Sequence, residues 1–426
     1  MSENGRLHMT GKPVAYFYLL LAFAMSVNVF SQTDTAAKKV KVPKHYFTPT
    51  IYTDYYYTPH TDIRLTNARG KPLLGEQYRM AKLLKGYQYS QSVGGFYIPF
   101  ITKERVHEDL RVSNLHMLAT GSYMLAMPRF GGTDSTGKFV NTTSTHNLMK
   151  ASFGMRLIYN SGKKGIWFFD ATPFIAGDLS APGTMVSRWA STVLYDRVVS
   201  PRFSYRLGIT RTFILGNRNH LPYIGLRFGR LDRTYFSIQF PRYANLSIPI
   251  GQKLRLNIYT KATGSLLTMA NTDSLYNGTN GKSAGIDRNI IFGRYDGNTG
   301  LRLDYNPSKH FSFFGAFGLS NLRAMALFSN QYNAKNDATT LVPFFGQKLD
   351  GTWYMNAGFT IRIGQAKSVY KNYNMYEVFN ANSTIDTGDN NTNTGDGNIP
   401  TELKKKTITN LKTKDVQDLI EAQDLY

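Results

Sequence analysis

Along most of this chain, apolar and polar residues alternate with a period of two over stretches of about ten positions, the mark of strands with two different faces. From Ala151 to Tyr159 the odd positions are Ala151, Phe153, Met155, Leu157 and Tyr159, set against Ser152, Gly154, Arg156 and Ile158. After a Gly-Lys-Lys-Gly turn, Trp167, Phe169, Ala171, Pro173 and Ile175 share one face, with Asp170 and Thr172 opposite. The series repeats from Phe203 to Leu215, where Arg206 lies among the even, polar positions. Phe236, Ile238, Phe240, Ala244, Leu246 and Ile248 oppose Tyr235, Ser237, Gln239, Asn245 and Ser247. Leu254, Leu256 and Ile258 oppose Arg255, Asn257, Tyr259 and Lys261. Near the end, Trp353, Met355, Ala357, Phe359, Ile361 and Ile363 oppose Tyr354, Asn356, Gly358, Thr360 and Arg362.

The pattern predicts about twelve strands, at 47–58, 78–100, 111–128, 147–160, 164–177, 202–216, 219–229, 234–246, 252–266, 288–305, 309–322 and 350–363. A soluble β-sandwich would alternate in the same way, so the connections decide. One set is tight: "SGKKG" (161–165), "GNRN" (216–219), "IPIGQK" (248–253), "NPSKH" (306–310) and a slightly longer one at 102–110. In the other set, 59–77, 129–146, 178–201, 267–287 and 323–349 are long and polar, and only "RLDRT" (230–234) is short. Short turns at one end and long loops at the other predict an all-β, transmembrane antiparallel barrel, with short periplasmic turns and long extracellular loops. Lipid offers no partner to backbone N–H and C=O groups, so a spanning sheet must close on itself.

The ends of the chain follow a different logic. Residues 1–31 read as a cleavable signal peptide, with Arg6 and Lys12 before the apolar run Val14 to Val29 and "VFS" before Gln32. Residues 32–44 are then a periplasmic N-terminal segment, 45–365 the outer-membrane barrel, and 366–426 a periplasmic tail. That tail holds the low-complexity run "STIDTGDNNTNTGDGN" and a short, weakly amphipathic helical pattern from about Lys414 to Leu425, which reads either as a frayed tail, the favoured reading, or as a docking segment for a periplasmic protein partner.

Composition sharpens this picture. The 27 Phe, 28 Tyr and 37 Gly favour strand, and the absence of Cys excludes disulfides, Cys-based metal sites and a bacterial lipid anchor. A net charge of +22 would invite a nucleic-acid reading, but an exported chain has no access to cytoplasmic nucleic acid. The expected surroundings are outer-membrane lipids and lipopolysaccharide in the cell outer membrane of a Gram-negative bacterium, with the barrel a monomer. Tyr159, Trp167, Tyr223, Tyr235, Tyr305 and Trp353 near strand ends are the candidate interface aromatics.

The segments "VSPRFSYRLGITRTFILGNRNHLPYIGLRF" and "FSIQFPRYANLSIPIGQKLRLNI" resemble a Bacteroidota outer-membrane β-barrel family catalogued as a domain of unknown function. The "VFSQ" signal end and the "NPSKH" turn suit that phylum. The resemblance spans about residues 45–365 and implies a fold and a membrane; it transfers no catalytic or binding residues.

Candidate chemistry is sparse. The eight His are scattered with no His-x-x-x-His pair on a helix, and "GTNGKS" (278–283) mimics a phosphate loop but has Tyr276 where the first Gly belongs. No cofactor or metal is expected. Ser144, Thr145, His146 and Asn147 at a strand start nominate a barrel hydrolase, such as a phospholipase, as the third functional class. By parity, Arg156, Arg206, Arg227, Arg255, Lys261, Arg294, Arg302 and Arg362 face the lumen, together with Asp170, Asp296 and Asp304. Such a basic lumen predicts a porin-like passive channel or transporter for small, anionic solutes, with no enzyme activity. The competing reading of that face is that Arg and Asp pair across the lumen and fill a narrow barrel. The alternative function is a structural or assembly component of an outer-membrane complex that docks periplasmic or surface partners through its tail and loops. Arg211 and Arg242 fall on the lipid face by parity, which places both near a rim.

Overall fold

The computed structural model describes residues 49–66, 70–106, 112–160, 165–200, 202–214, 219–230, 233–251, 253–272, 275, 289–308, 310–329 and 343–363. The expected signal peptide, N-terminal segment, tail and phosphate-loop mimic lie outside these residues. The strands are β1 (Thr50–Asp62), β2 (Gly86–Val106), β3 (Val112–Thr133), β4 (Phe139–Asn141), β5 (Leu148–Asn160) and β6 (Gly165–Asp178). They continue as β7 (Val186–Ser200), β8 (Phe203–Thr212), β9 (Asn219–Gly229), β10 (Tyr235–Phe240), β11 (Tyr243–Ile250) and β12 (Leu254–Ala270). The last are β13 (Asn289–Tyr305), β14 (Phe311–Ser329), β15 (Pro343–Leu349) and β16 (Thr352–Arg362), and one helix, α1 (Gly75–Leu84), separates β1 from β2.

Every ladder is antiparallel between chain neighbours, β1 pairs with β16, and the β13–β14 ladder completes the circuit. Among the described residues, fourteen strands thus form a closed barrel, with β4 and β15 as short additions on β3 and β14. Thr50 lies opposite Arg362, so the barrel's first and last strands begin and end at the same rim. At the other rim β4 folds back through a turn at Asp134, whose carboxylate accepts the Thr136 hydroxyl and the Lys138 backbone N–H. Those bonds hold its pKa below the ordinary Asp value.

Two strands beyond the expected twelve are β7 and β11. β7 occupies part of the expected loop 178–201, and β11 begins inside the expected single strand 234–246 and runs on into the expected turn 248–253. Their loss from the sequence reading had a compensating effect on polarity. "GNRN" belongs to the long-loop rim and "RLDRT" to the short-turn rim, the reverse of the expectation, while β11 restores the phase from "IPIGQK" onward. With both strands counted, the turns at 201–202, 230–234, 251–253 and 306–310 share the rim of the termini. The long connections 63–85, 134–147, 271–288 and 330–351 share the other. The first third of the expected strand 78–100 is instead α1: good helix formers place Met80, Ala81 and Leu84 on one buried face. Lys85, at φ 58°, ends the helix and turns the chain into β2.

The barrel wall is apolar outside. Phe153, Ile209, Phe317 and Leu322 are each at least 61% exposed, far more contiguous apolar surface than a water-soluble protein tolerates. No described helix is long and apolar enough to cross a membrane, and the strands make the crossing. Phe317, partway along β14 and paired with Leu301 and Met355, points into this band. Phe317→Arg is expected to cost about 2–4 kcal/mol if that position sits at mid-depth, and less at a rim. Urea unfolding in lipid vesicles measures it; a neutral result would move the membrane boundary away from this strand segment.

Wall height is uneven. β8 to β11 span 10, 11, 6 and 8 residues, whereas β12 and β13 each span 17. Above the short strands the end of β12 leans across to β5 and β6. Leu266, Thr268 and Ala270 are therefore buried although their parity is outward. Arg188 on β7 fixes the contact, donating to the Leu266 carbonyl at 2.8 Å and the Thr268 hydroxyl at 3.2 Å.

Candidate functional site: the filled lumen

The interior is built in three levels, counted from the long-loop rim. The uppermost is apolar. α1 directs Met80, Ala81 and Leu84 inward, where they join Leu275, Phe345, Phe130, Phe292 and Tyr87 in one buried cluster. Phe130, Phe292 and Tyr87 form a ring triad with centroids 5.8 to 6.3 Å apart. Polar ties hold the helix in place. Gln77 donates to the Phe344 carbonyl at 3.1 Å, and Arg79 donates to Glu76 at 2.8 Å and to the Leu275 carbonyl at 2.6 Å. Two ties reach different connections, so α1 staples the loops of the mouth together.

The second level is charged and aromatic. Asp296 on β13 pairs with Arg294 on its own strand and with Arg323 Nε on β14 at 3.2 Å. The Arg294 guanidinium lies 3.7 Å from the Tyr89 ring centroid and 4.9 Å from that of Tyr56. Arg323 donates to the Thr61 hydroxyl at 2.6 Å and to the Asp350 carbonyl at 3.3 Å. Stacking of a planar cation on tyrosine faces lets it be buried while one carboxylate balances part of the charge. Arg323 was missed by the parity reading. Asn321 is left without an opposing residue between the pairs Gly297–Leu322 and Asn298–Ser320, and this bulge switches the inward face from even to odd positions.

Paired polar groups fill the third level, toward the short-turn rim. Arg156 and Asp170, on adjacent strands, meet at 2.7 Å, as do Arg206 and Asp196, and Arg302 and Asp304. Arg206 also donates to Gln239 at 3.1 Å, and Gln239 donates to the Tyr243 hydroxyl at 2.6 Å. Asn257 donates to Asp304, Arg255 to Ser247 at 3.0 Å, and Arg362 to Ser312 at 2.7 Å. Across the barrel, the Tyr354 hydroxyl donates to that of Tyr259 at 2.7 Å.

Of the lumen candidates, Arg156, Arg206, Arg227, Arg255, Arg294, Arg302, Arg362, Asp170, Asp296 and Asp304 are buried on the inward face, and Lys261 is half-buried there. Asp196 and Lys150 are inward as well and lie outside the expected set; Asp196 stands on β7, in the stretch expected to be a loop. Among the interface aromatics, Tyr159, Trp167, Tyr305 and Trp353 are exposed on the outer wall. Tyr223 and Tyr235 are corrections: both are buried and face the lumen. There Tyr223 donates its hydroxyl to Gln239, and the Tyr235 ring lies 5.5 Å from the Arg255 guanidinium. A tyrosine fills a polar interior well, since its ring supplies volume and its hydroxyl a partner.

The two arginines assigned to the lipid face divide. Arg211 does point outward, at the loop end of β8, with its guanidinium 3.8 Å from the Trp189 ring centroid. Arg242 is buried, because it sits in the two-residue turn between β10 and β11 and not within a strand. The hydrolase nomination also takes a different form. Ser144 and Thr145 are exposed and Asn147 half-buried, while His146 is fully buried and its Nδ1 lies 2.8 Å from Asp178 Oδ2. Asp178 further accepts the Ala270 N–H at 3.3 Å and the Ser180 hydroxyl at 2.6 Å, and His146 Nε2 meets the Thr272 hydroxyl at 3.4 Å. The pair therefore latches the end of β12 to the ends of β5 and β6. Among the described residues no three His, Asp or Glu side chains converge as a metal site.

Closed ladders, an apolar outer wall and a polar, filled interior define a class: the chain is a transmembrane antiparallel β-barrel. The sequence matches no protein-family model and no curated protein. Among solved structures, the beta domain of the Bordetella autotransporter Brka is similar over 74% of this chain and 100% of its own, at 7% identity and a TM-score of 0.27. An outer membrane channel from Pseudomonas putida F1 is similar over 78% and 100%, at 9% identity and a TM-score of 0.28. The translocator domain of the autotransporter NalP from Neisseria meningitidis is similar over 83% and 98%, at 10% identity and a TM-score of 0.27.

Proposed function

We propose that the chain is a sealed barrel of a Gram-negative outer membrane that serves as a structural or docking component, with its short turns toward the periplasm. Lipid and lipopolysaccharide surround its wall, and the long-loop rim and the tail present its partner-binding surfaces. One observation carries this reading. From the α1 cluster down to the Arg302–Asp304 pair, most inward side chains are buried against one another, with a few such as Lys261 half-buried, whereas a wide water-filled pore would leave its lining exposed.

A second reading, gated passage of small anions, draws on the inward cations. Lys150, Arg156, Arg206, Arg227, Arg255, Arg294, Arg302, Arg323 and Arg362 outnumber Asp54, Asp170, Asp178, Asp196, Asp296 and Asp304. No catalytic step belongs to either reading, because the His146–Asp178 pair is occupied in holding strand ends. Planar-bilayer recording of the full chain separates the two. The sealed barrel is expected to leave the bilayer at baseline, and steady anion-selective steps would establish conduction instead.

A further inference from the structure

The space where β12 leans across the mouth contains a second, independent feature. Lys150 on β5 and Arg188 on β7 flank Phe174 of β6 on the inner wall: Phe174 is paired with Arg188 in the ladder and with Ser152, two residues beyond Lys150, on the other side. The Lys150 ammonium lies 4.1 Å from the Phe174 ring centroid, and Lys150 is only 3% exposed. Arg188 spends its fork on two neutral acceptors, the Leu266 carbonyl and the Thr268 hydroxyl. A buried lysine and a half-buried arginine thus stand on either side of one phenylalanine.

Arg255 and Arg362 donate to serine hydroxyls, but several inward arginines have an acidic partner. Arg156, Arg206, Arg294 and Arg302 each meet an aspartate. The carboxylate at the roof of this compartment, Asp178, is committed to His146, Ser180 and the Ala270 N–H. Below, Phe213 packs edge-on against Phe174 with centroids 5.4 Å apart and closes the floor with apolar surface. Among the described residues neither cation meets a carboxylate, and cation–π contact with one phenylalanine offsets only part of the cost of burying the Lys150 ammonium.

We propose that an oxyanion of the phosphate type binds between Lys150 and Arg188. Lys150 supplies a point charge with three donors, and Arg188 keeps donors of its fork available to a planar or tetrahedral oxyanion. The Thr268 hydroxyl stands at the same place as a neutral partner. The anion is either free phosphate or the phosphate of a membrane lipid entering above the short strands β8 to β11; both present the same chemistry to the pair.

The test uses the full chain folded in neutral detergent. Inorganic phosphate is titrated at constant ionic strength against chloride, with binding read by calorimetry and by the thermal shift of the folded, heat-modifiable band. A second arm replaces phosphate by micelles doped with phosphatidylglycerol. The wild-type chain is expected to bind one phosphate group in at least one arm, with the arm that responds identifying the source. Lys150→Met and Arg188→Gln should each weaken that binding at least tenfold, and Lys150→Arg should retain it in a chain that demonstrably folds. The proposal is overturned if neither phosphate nor the lipid binds more than chloride does. It is equally overturned if Lys150→Met, still folded, binds phosphate as the wild type does.

Discussion

Asp296→Ala is expected to destabilise the barrel by about 3–5 kcal/mol, the largest loss from any single side chain in the lumen. Asp296 is 1% exposed and is the carboxylate shared by Arg294 and Arg323. Removing it leaves two guanidinium groups enclosed among Tyr56, Tyr87 and Tyr89 with no carboxylate paired to them among the described residues. The tyrosine faces offset only part of that cost, since each cation–π contact contributes about 0.5–2 kcal/mol. Asp296→Asn should fall between wild type and alanine, because it keeps the shape and loses the charge. The double change Asp296→Asn with Arg294→Met should recover part of the loss, since removing both partners of a buried pair is much milder than removing one. Urea unfolding in lipid vesicles, followed by the mobility of the folded band, gives all three values. If Asp296→Ala were within about 1 kcal/mol of wild type, water would have to reach this level of the lumen, and the sealed-barrel reading would fail with it.

The faces of this barrel were readable because lipid enforces the alternation so strictly. Arg156 and Asp170 could be placed opposite Phe153 and Trp167 from parity alone, and the ladder pairs Arg156 directly with Asp170. The errors arise where that rule is physically suspended. A two-residue turn at Pro241–Arg242 preserves parity: Gln239 pairs with Tyr243 and Ile238 with Ala244, so apolar even positions run through β10 and β11 as though they were one strand. In β7 the inward face carries Ala190, Leu194 and Val198 beside Thr192 and Asp196, and the outward face carries Ser191 and Arg197, so neither face looks distinctive. The bulge at Asn321 inverts the phase within β14 and hides Arg323. Tyr223 and Tyr235 show a different limit: a tyrosine near a strand end suits a headgroup interface and a polar core alike. Chain position separates these environments poorly, and only the partner across the barrel, Gln239 or Arg255, decides. The burial of Lys150 beside Arg188 is out of reach for the same reason, because β12 leans over strands far from it in sequence.

Removing α1 should open the mouth without opening the barrel. Asp62 and Gly86 face each other at the end of the β1–β2 ladder, so residues 63–85 can be replaced by an Asn-Gly hairpin turn with no change in register. The replacement strips Met80, Ala81 and Leu84 from Phe130, Phe292, Leu275 and Phe345. At about 1.5–3 kcal/mol for each large apolar side chain uncovered, the loss should be of order 5 kcal/mol, lessened as the remaining rings repack. Because the chain contains no cysteine, a single Met269→Cys reports access cleanly. Met269 is fully buried in the intact protein, so a membrane-impermeant thiol reagent added from the long-loop side should barely label it. In the helix-less barrel labelling should accelerate at least about tenfold, the change expected when a closed site becomes open most of the time. Conductance should nevertheless stay at baseline, since the Arg294–Asp296–Arg323 level and the pairs beneath it still fill the lumen. Fast labelling joined to a steady current would make α1 the gate of a pore. Slow labelling would mean that β15 and the loop bearing Leu275 cover the mouth without the helix. Fast labelling with a silent bilayer is the combination that a barrel sealed at two separate levels requires.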